Sequence, residues 1–251
     1  MSGFAPDHAG ADVRASPNHG ERREGAHVDA IILHYTGMAS GEAAAAWLCN
    51  PQSQVSSHYL VHEDGCVVQM VPEAARAWHA GQSVWAGATD MNSRSVGIEI
   101  VNPGHELGYA DFPQAQVEAV IELCRGIVAR HAIRPERVLA HSDIAPGRKI
   151  DPGEKFPWAA LAGAGIGHWV APEPAGADAG LCENDSGDAV KSLQFRLFSY
   201  GYGIEVTGRY DARTRIVVEA FQRHFRPMRV DGAADRSTID TLQNLLAALH
   251  G

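Results

Sequence analysis

The chain has 251 residues, 45% hydrophobic and 20% charged, the make-up of an ordinary globular protein with room for one large domain or two unequal ones. Its net charge of -9 argues against a nucleic-acid or anionic-membrane partner. No apolar run approaches the ~18–20 residues of a membrane span, and Met1–Gly25 lacks the apolar stretch of about 7–15 residues of a secretory leader, so neither a transmembrane segment nor general-pathway export is expected.

Residues 1–26 read as an arm, either flexible or laid as a strip on the domain surface. Ala30-Ile31-Ile32-Leu33 is a short apolar run read as a buried strand, and His34 closes it. After Tyr35-Thr36-Gly37, Ser40 can cap a helix through Ala43–Leu48. Val55–His62 and Cys66–Val71, separated by Glu63-Asp64-Gly65, carry the Asp-Gly signature of a hairpin. In Ser95–Val101 the residues Val96, Ile98 and Ile100 share one face, which turns Glu99 to the other. A carboxylate in so apolar a strand implies that something nearby needs it.

Pro113–His131 places Val117, Val120, Ile121, Cys124, Ile127 and Val128 at helical spacing, with Pro113 in a first-turn position. Val138-Leu139-Ala140 is a last short strand, running into His141. Strands interleaved with helices predict an α/β layer, with His34, Glu99 and His141 at or near strand ends, where open sheets build sites. His141 stands ten residues before Asp151, with Lys149 two residues ahead of that carboxylate, and Pro146-Gly147 makes the intervening chain a loop. Together with His34, they suit Zn²⁺, which takes N and O ligands and leaves a fourth position to water. Spacing alone leaves open a strand-end histidine and a turn carboxylate, since a chain with 13 His holds many such triplets. Cys49, Cys66, Cys124 and Cys182 form no CxxC pair and are expected to be buried thiols.

After Trp158 the chain becomes rich in Ala, Gly and Pro through Gly180, a linker composition that divides it into a domain over 27–165, a linker over 166–182 and a second domain over 183–251. Residues 1–182 hold 12 Lys/Arg against 21 Asp/Glu, whereas 183–251 hold 9 of each, which fits two modules with different surfaces. Three short amphipathic helices are predicted in the second, on the faces Ala189/Val190/Leu193/Leu197, Ile216/Val217/Ala220/Phe221 and Ile239/Leu242/Leu245/Leu246. Tyr202, Tyr210 and Phe221 are expected in its core, and Arg223, Arg226 and Arg229 on a solvated face.

Six ordered blocks between about His27 and Trp158 carry a resemblance. They are Ile32-Leu33-His34-Tyr35-Thr36, Ser57-His58-Tyr59-Leu60-Val61, Asp64-Gly65, Ala77-Trp78-His79-Ala80-Gly81, Asn92–Glu99, and His141–Ala145 followed by Arg148–Gly153. Together they resemble the zinc-dependent N-acetylmuramoyl-L-alanine amidases, a superfamily that also includes phage lysozyme-like amidases and peptidoglycan recognition proteins. Val190-x-x-Leu193-Gln194-x-x-Leu197, Gly201-Tyr202, Thr207-Gly208-x-Tyr210-Asp211, Ala220-Phe221-Gln222 and Val230-Asp231-Gly232 resemble the three-helix peptidoglycan-binding domain.

The resemblance implies an α/β fold, a central mixed sheet flanked by helices, with a second small all-α three-helix domain. It implies Zn²⁺ on His34, His141 and Asp151, and a water that attacks the amide between the lactyl group of N-acetylmuramic acid and L-alanine. Glu99 would handle the protons and Lys149 would face the oxyanion. Tyr35, His58, Trp78, His79 and Asn92 are the candidate substrate-binding residues, with packing as the alternative for Trp78 and His79 and a supporting or interior place for His58. Phage lysozyme-like members carry a tyrosine where this chain has Ser57, so proton handling is expected to rest on Glu99. The implied partner is peptidoglycan or a muropeptide, met in the periplasm or at the wall, or in the cytoplasm since no leader is seen. The rivals are a non-catalytic recognition protein, which typically loses a zinc ligand, and a phage-type lytic amidase of the same chemistry. On the amidase reading, the second module is expected to grip the wall and to be dispensable for cleaving small muropeptides.

Overall fold

The computed structural model describes residues 4–249, so the first three residues of the arm and the last two of the second module lie outside the described residues. In chain order the first domain contains β1 (Asp12–Val13), β2 (His19–Gly20), β3 (Ala30–Tyr35), α1 (Gly41–Leu48), β4 (Tyr59–Val61), β5 (Val67–Gln69) and β6 (Arg76–Ala77). There follow α2 (Met91–Arg94), β7 (Ser95–Ile100), α3 (Gln114–His131), β8 (Val138–Ala140), α4 (His141–Ile144) and α5 (Trp158–Gly163). The second module is α6 (Asp188–Tyr200), α7 (Ala212–Phe225) and α8 (Arg236–Ala248).

Six strands form one mixed sheet in the order β1-β5-β4-β7-β3-β8, and β2 pairs with β6 separately. The sheet is flanked by helices, with the three-helix module at its C-terminal side, as the resemblance implies. β3 lies one strand in from the β8 edge, parallel to both β7 and β8. An interior parallel strand is covered on both faces, which is why Ala30–Leu33 is continuously apolar. The register sets His34 opposite Glu99, so two chemical residues leave the sheet side by side. The expected hairpin is the antiparallel β4–β5 pair, shorter than its apolar run; Asp64 accepts from the Cys66 amide, and Gly65 turns at φ 89°.

Ser40 caps α1 by accepting from the Ala43 amide. α3 presents Val120, Leu123, Cys124 and Ile127 to one face of the sheet, and Gln116 donates to the Val61 and Val101 carbonyls. Pro113 stands just before its first turn, a place equally suited to a residue without N–H. The chain from His141 starts with one helical turn, where a loop was expected. Asp143 closes that turn by accepting from the Ala140 amide at 2.8 Å.

The arm lies on the domain as a strip. β1 adds to β5, Ser16 and Asn18 are buried, and Asn18 donates to the Asn50 and Val55 carbonyls. Arg22 pushes its guanidinium under the sheet, donating to the carbonyls of Glu73, Asn92 and Ser95.

The second module shares a core with the sheet. Ile32, Leu139, Ile144 and Ala145 belong to the same apolar cluster as Val190, Val217, Phe221 and Leu242. Trp85, 1% exposed, meets Tyr202 edge-on at 4.9 Å, and Trp158 stacks on His224 at 3.7 Å. Residues 168–180 carry no helix or strand, yet Trp169 packs near Phe225 at 6.1 Å. Tyr202, Tyr210 and Phe221 are in the core as expected. Two expectations are corrected. Arg226 is not on a solvated face: it is buried and donates to Asp235 and Thr238, while Arg223 is half-buried. Of the cysteines only Cys124 is buried; Cys49 is half-buried, and Cys66 and Cys182 are exposed.

One buried ionic cluster ties α3 to the sheet. Glu73 accepts from Tyr59 at 2.6 Å and from Arg130 at 3.0 Å, and lies 2.7 Å from His131. Burial would raise its carboxyl, but the hydrogen bonds from Arg130, Tyr59 and His131 outweigh burial and hold the pKa down at about 2. A depressed carboxylate contributes stability that is fully present above its ordinary value and is lost as pH falls through the folded value. Glu73→Gln is therefore expected to destabilise by about 3 kcal/mol at pH 7. Urea titrations at several pH values should show the gap to wild type closing between pH 4.5 and about 2; a gap that stays constant with pH would remove the ionic cluster as its cause.

Candidate metal centre and active site

Three chain segments deliver the centre. His34 is the penultimate residue of β3, His141 opens α4 directly after β8, and Asp151 comes from the following loop. That loop is pinned because the Ser142 amide donates to the Asp151 carbonyl at 3.0 Å. His34 Nδ1 lies 2.8 Å from His141 Nδ1 and 3.1 Å from Asp151 Oδ2, and His141 Nδ1 lies 2.9 Å from the same oxygen. Among the described residues this is the group of His, Cys, Asp and Glu whose ligand atoms converge.

The donor set fits a metal. His141 Nε2 is 3.2 Å from the Ala80 carbonyl, to which it can only donate, so in the neutral ring Nδ1 is a bare lone pair aimed at a carboxylate oxygen. Burial, and then the neighbouring His141, lower the His34 pKa to about 4, which leaves a neutral imidazole at pH 7. Burial opposes ionisation of Asp151, yet His141 and His34 keep it ionised. Two imidazoles and an aspartate facing each other across about 3 Å could hold a cation, and a second N–H given to a backbone carbonyl is the usual way such a histidine is held.

Glu99 projects beside them from β7. Burial pushes its pKa well above the ordinary carboxyl value and the Asp151 charge adds to this, against the opposing charge of Lys149. Its Oε2 is buried without a hydrogen-bond partner in the protein. An orphaned carboxyl oxygen in a site is a proton acceptor waiting for a ligand or water.

His34, Glu99, His141, Lys149 and Asp151 line one cavity of about 510 Å³, a ligand-sized space. Tyr35, His105 and Glu106 form one wall, with the Tyr35 hydroxyl 3.0 Å from His105 Nδ1. Trp47, Leu48, Val55 and Trp78 add apolar lining. His79 reaches the cavity but is 9% exposed, and its Nδ1 is 3.0 Å from His34 Nε2, so it orients a ligand histidine as much as it walls the groove.

Two candidates do not reach the cavity. His58 is wholly buried, accepts from the Gly97 amide at 2.9 Å and sits 3.1 Å from the Ala75 carbonyl, which makes it a strand support and corrects its place among substrate-binding residues. Asn92 is also behind the wall: its Oδ1 accepts from the amides of His79 and Ala80 and so fixes the segment that orients both ligand histidines. Arg148 was quoted in the sequence blocks without a role. It donates to the Ala80 carbonyl at 2.6 Å, lies 3.4 Å from His141 Nε2 and lines the cavity. Two cations in a row before Asp151 were the available signal. Trp47 was hidden in the predicted first helix, where an aromatic on an Ala-rich turn is the only hint.

Residues 24–154 match the family described as N-acetylmuramoyl-L-alanine amidase. The chain belongs to this family. Residues 186–242 of the amidase match a second family, described as putative peptidoglycan binding domain. The amidase is 40% identical over 236 residues to N-acetylmuramoyl-L-alanine amidase AmiD of Escherichia coli (strain K12), a match covering 87% of this chain and 82% of that protein. It is 31% identical over 160 residues to 1,6-anhydro-N-acetylmuramyl-L-alanine amidase AmpD of Enterobacter cloacae, covering 57% of this chain and 83% of that one. The solved complex of the E. coli AmiD with anhydro-N-acetylmuramic acid-L-Ala-D-gamma-Glu-L-Lys is similar at a TM-score of 0.75 and 38% identity, covering 91% of this chain and 93% of that chain.

Gly97 of the amidase is the small residue on which the His79 ring rests; a Cβ there would meet that ring at 2.4 Å. Gly97→Ala is expected to cost about 1–3 kcal/mol by overpacking and, by displacing His79 from His34, to lower zinc retention during dialysis. Unchanged retention would show that His79 does not orient the ligand.

Proposed function

We propose that this N-acetylmuramoyl-L-alanine amidase works with Zn²⁺ held by His34, His141 and Asp151, with Glu99 moving the protons and Lys149 countering the charge that develops on the substrate carbonyl. The observation that carries the reading is the convergence of two imidazole nitrogens and one carboxylate oxygen within 3.1 Å, beside a buried carboxyl oxygen with no partner. Zinc, when bound, supplies Lewis acidity and a water that ionises near pH 7.

The protein's own residues do the rest. Glu99, its pKa raised by burial and by the Asp151 charge, takes a proton from the attacking water and returns one to the amine of L-alanine as it leaves. Lys149 brings its ammonium to the same cavity, where the carbonyl of the lactyl group becomes negative. Tyr35 and Trp78, which both line the cavity, contact the substrate there. The AmiD complex carries an anhydro-N-acetylmuramic acid peptide, and we assign the same class of muropeptide to this cavity. With a wall-binding module attached, its place of work is the periplasm or the wall.

Cleavage of a soluble muropeptide should stop on chelation and return with added Zn²⁺. Glu99→Gln is expected to lower kcat by roughly 10²–10⁴ while zinc content stays at the wild-type level, whereas His141→Ala should lose the metal. Near-normal turnover in Glu99→Gln would overturn the proton assignment. Lys149→Ala should lower kcat by roughly 10²–10³ with KM less affected; a change confined to KM would make Lys149 a binding group only. Failure of the wild-type protein to release peptide, with or without added zinc, would favour the recognition protein over the hydrolase.

A further inference from the structure

We propose that the peptidoglycan-binding module is part of the frame of the catalytic centre: its residues Tyr202 and His224 position His141 through Asp143. This rests on the assignment of His141 as a zinc ligand. Asp143 follows His141 by two residues on the single turn α4, and it is wholly buried. Its Oδ2 accepts from the Ala140 amide at 2.8 Å, which fixes where the turn begins and hence the direction in which His141 leaves it. The other contacts of that carboxylate come from the appended module. The Tyr202 hydroxyl donates to Oδ1 at 2.7 Å, and His224 Nδ1 lies 2.6 Å from Oδ2. The His224 ring is itself clamped, stacked on Trp158 at 3.7 Å and on Phe225 at 3.8 Å.

The chain beyond α4 is backed by the same module. The Ile144 carbonyl accepts from Val84, beside the Trp85–Tyr202 contact, and the Pro146 carbonyl accepts from Arg213 of α7 at 3.2 Å. Gly147 lies so close to α7 that a Cβ would come within 2.7 Å of Ile216. The segment that carries His141, Lys149 and Asp151 therefore faces the groove on one side and α7 on the other. This reverses the division of labour expected from the sequence. Removing 183–251 would strip a buried carboxylate of two partners next to a metal ligand, and small muropeptides would be cleaved poorly as well.

The test uses the full chain. Tyr202→Phe deletes only the hydroxyl that reaches Asp143. Tyr210→Phe is the control: its buried hydroxyl donates to the Gly232 carbonyl at 2.6 Å within the same module. Both should lower Tm to a similar extent. Tyr202→Phe alone should weaken zinc binding about 10–100-fold in chelator competition and reduce kcat on a soluble muropeptide with KM little changed. His224→Asn, whose amide can stand in for Nδ1, should keep zinc better than His224→Leu, which covers the case of a poorly folding tyrosine variant. Identical zinc affinity in Tyr202→Phe and Tyr210→Phe, or in the two His224 variants, would overturn the proposal while leaving the metal assignment standing. A wild-type protein that binds no zinc would end both.

Discussion

Two imidazole nitrogens and a carboxylate oxygen held about 3 Å apart inside a protein oppose one another wherever each presents a lone pair to the others. Only a cation between them, or a shared proton, makes the arrangement favourable, and so the surrounding fold has to hold it in place. It does so from several directions. The register of β3 and β7 sets His34 beside Glu99. Asn92 fixes the His79–Ala80 backbone, from which the His79 ring meets the far nitrogen of His34 and the Ala80 carbonyl that of His141. The Ser142 amide holds Asp151, and Arg22 holds Asn92 from behind. Each is a hydrogen bond of ordinary strength; together they remove the freedom by which the three ligands would swing apart.

Much of this was legible from residue order. Periodicity showed β3, β7 and α3 because their burial is one-sided or complete along a regular element, and alternation alone turned Glu99 away from its apolar neighbours. The six blocks pointed to His34, His141 and Asp151, which the fold brings together. What periodicity does not carry is the far side of a polar side chain. His58 and Asn92 are polar residues next to a site, and in a sequence nothing separates one that faces a ligand from one that serves a neighbouring backbone amide. The helical turn at His141 was obscured by Pro146 and Gly147, which lie just after it and do not interrupt it. Arg226 read as surface because guanidinium groups usually are; Asp235 and Thr238, nine and twelve residues on, hold it inside.

The relation between the two modules was the least readable part. An Ala-, Gly- and Pro-rich stretch reports that the backbone needs no side-chain packing of its own, and this says nothing about whether the bodies on either side touch. Here they share an apolar cluster that runs from Ile32 and Leu139 to Phe221 and Leu242. The small helical module, too short to bury a large core by itself, completes its core with the sheet. In return, the sheet receives a cover on the face from which His34 projects.

Synthesis runs from one end of the chain, which gives the arrangement an order in time. The Arg22 side chain emerges from the ribosome well before the carbonyls it will bond, 51 to 73 residues further on. Asp143 waits again for Tyr202 and His224, 59 and 81 residues later. A nascent chain therefore carries Arg22 and Asn92 before His141 emerges, whereas Asp143 meets its two remaining partners only once α7 has been made.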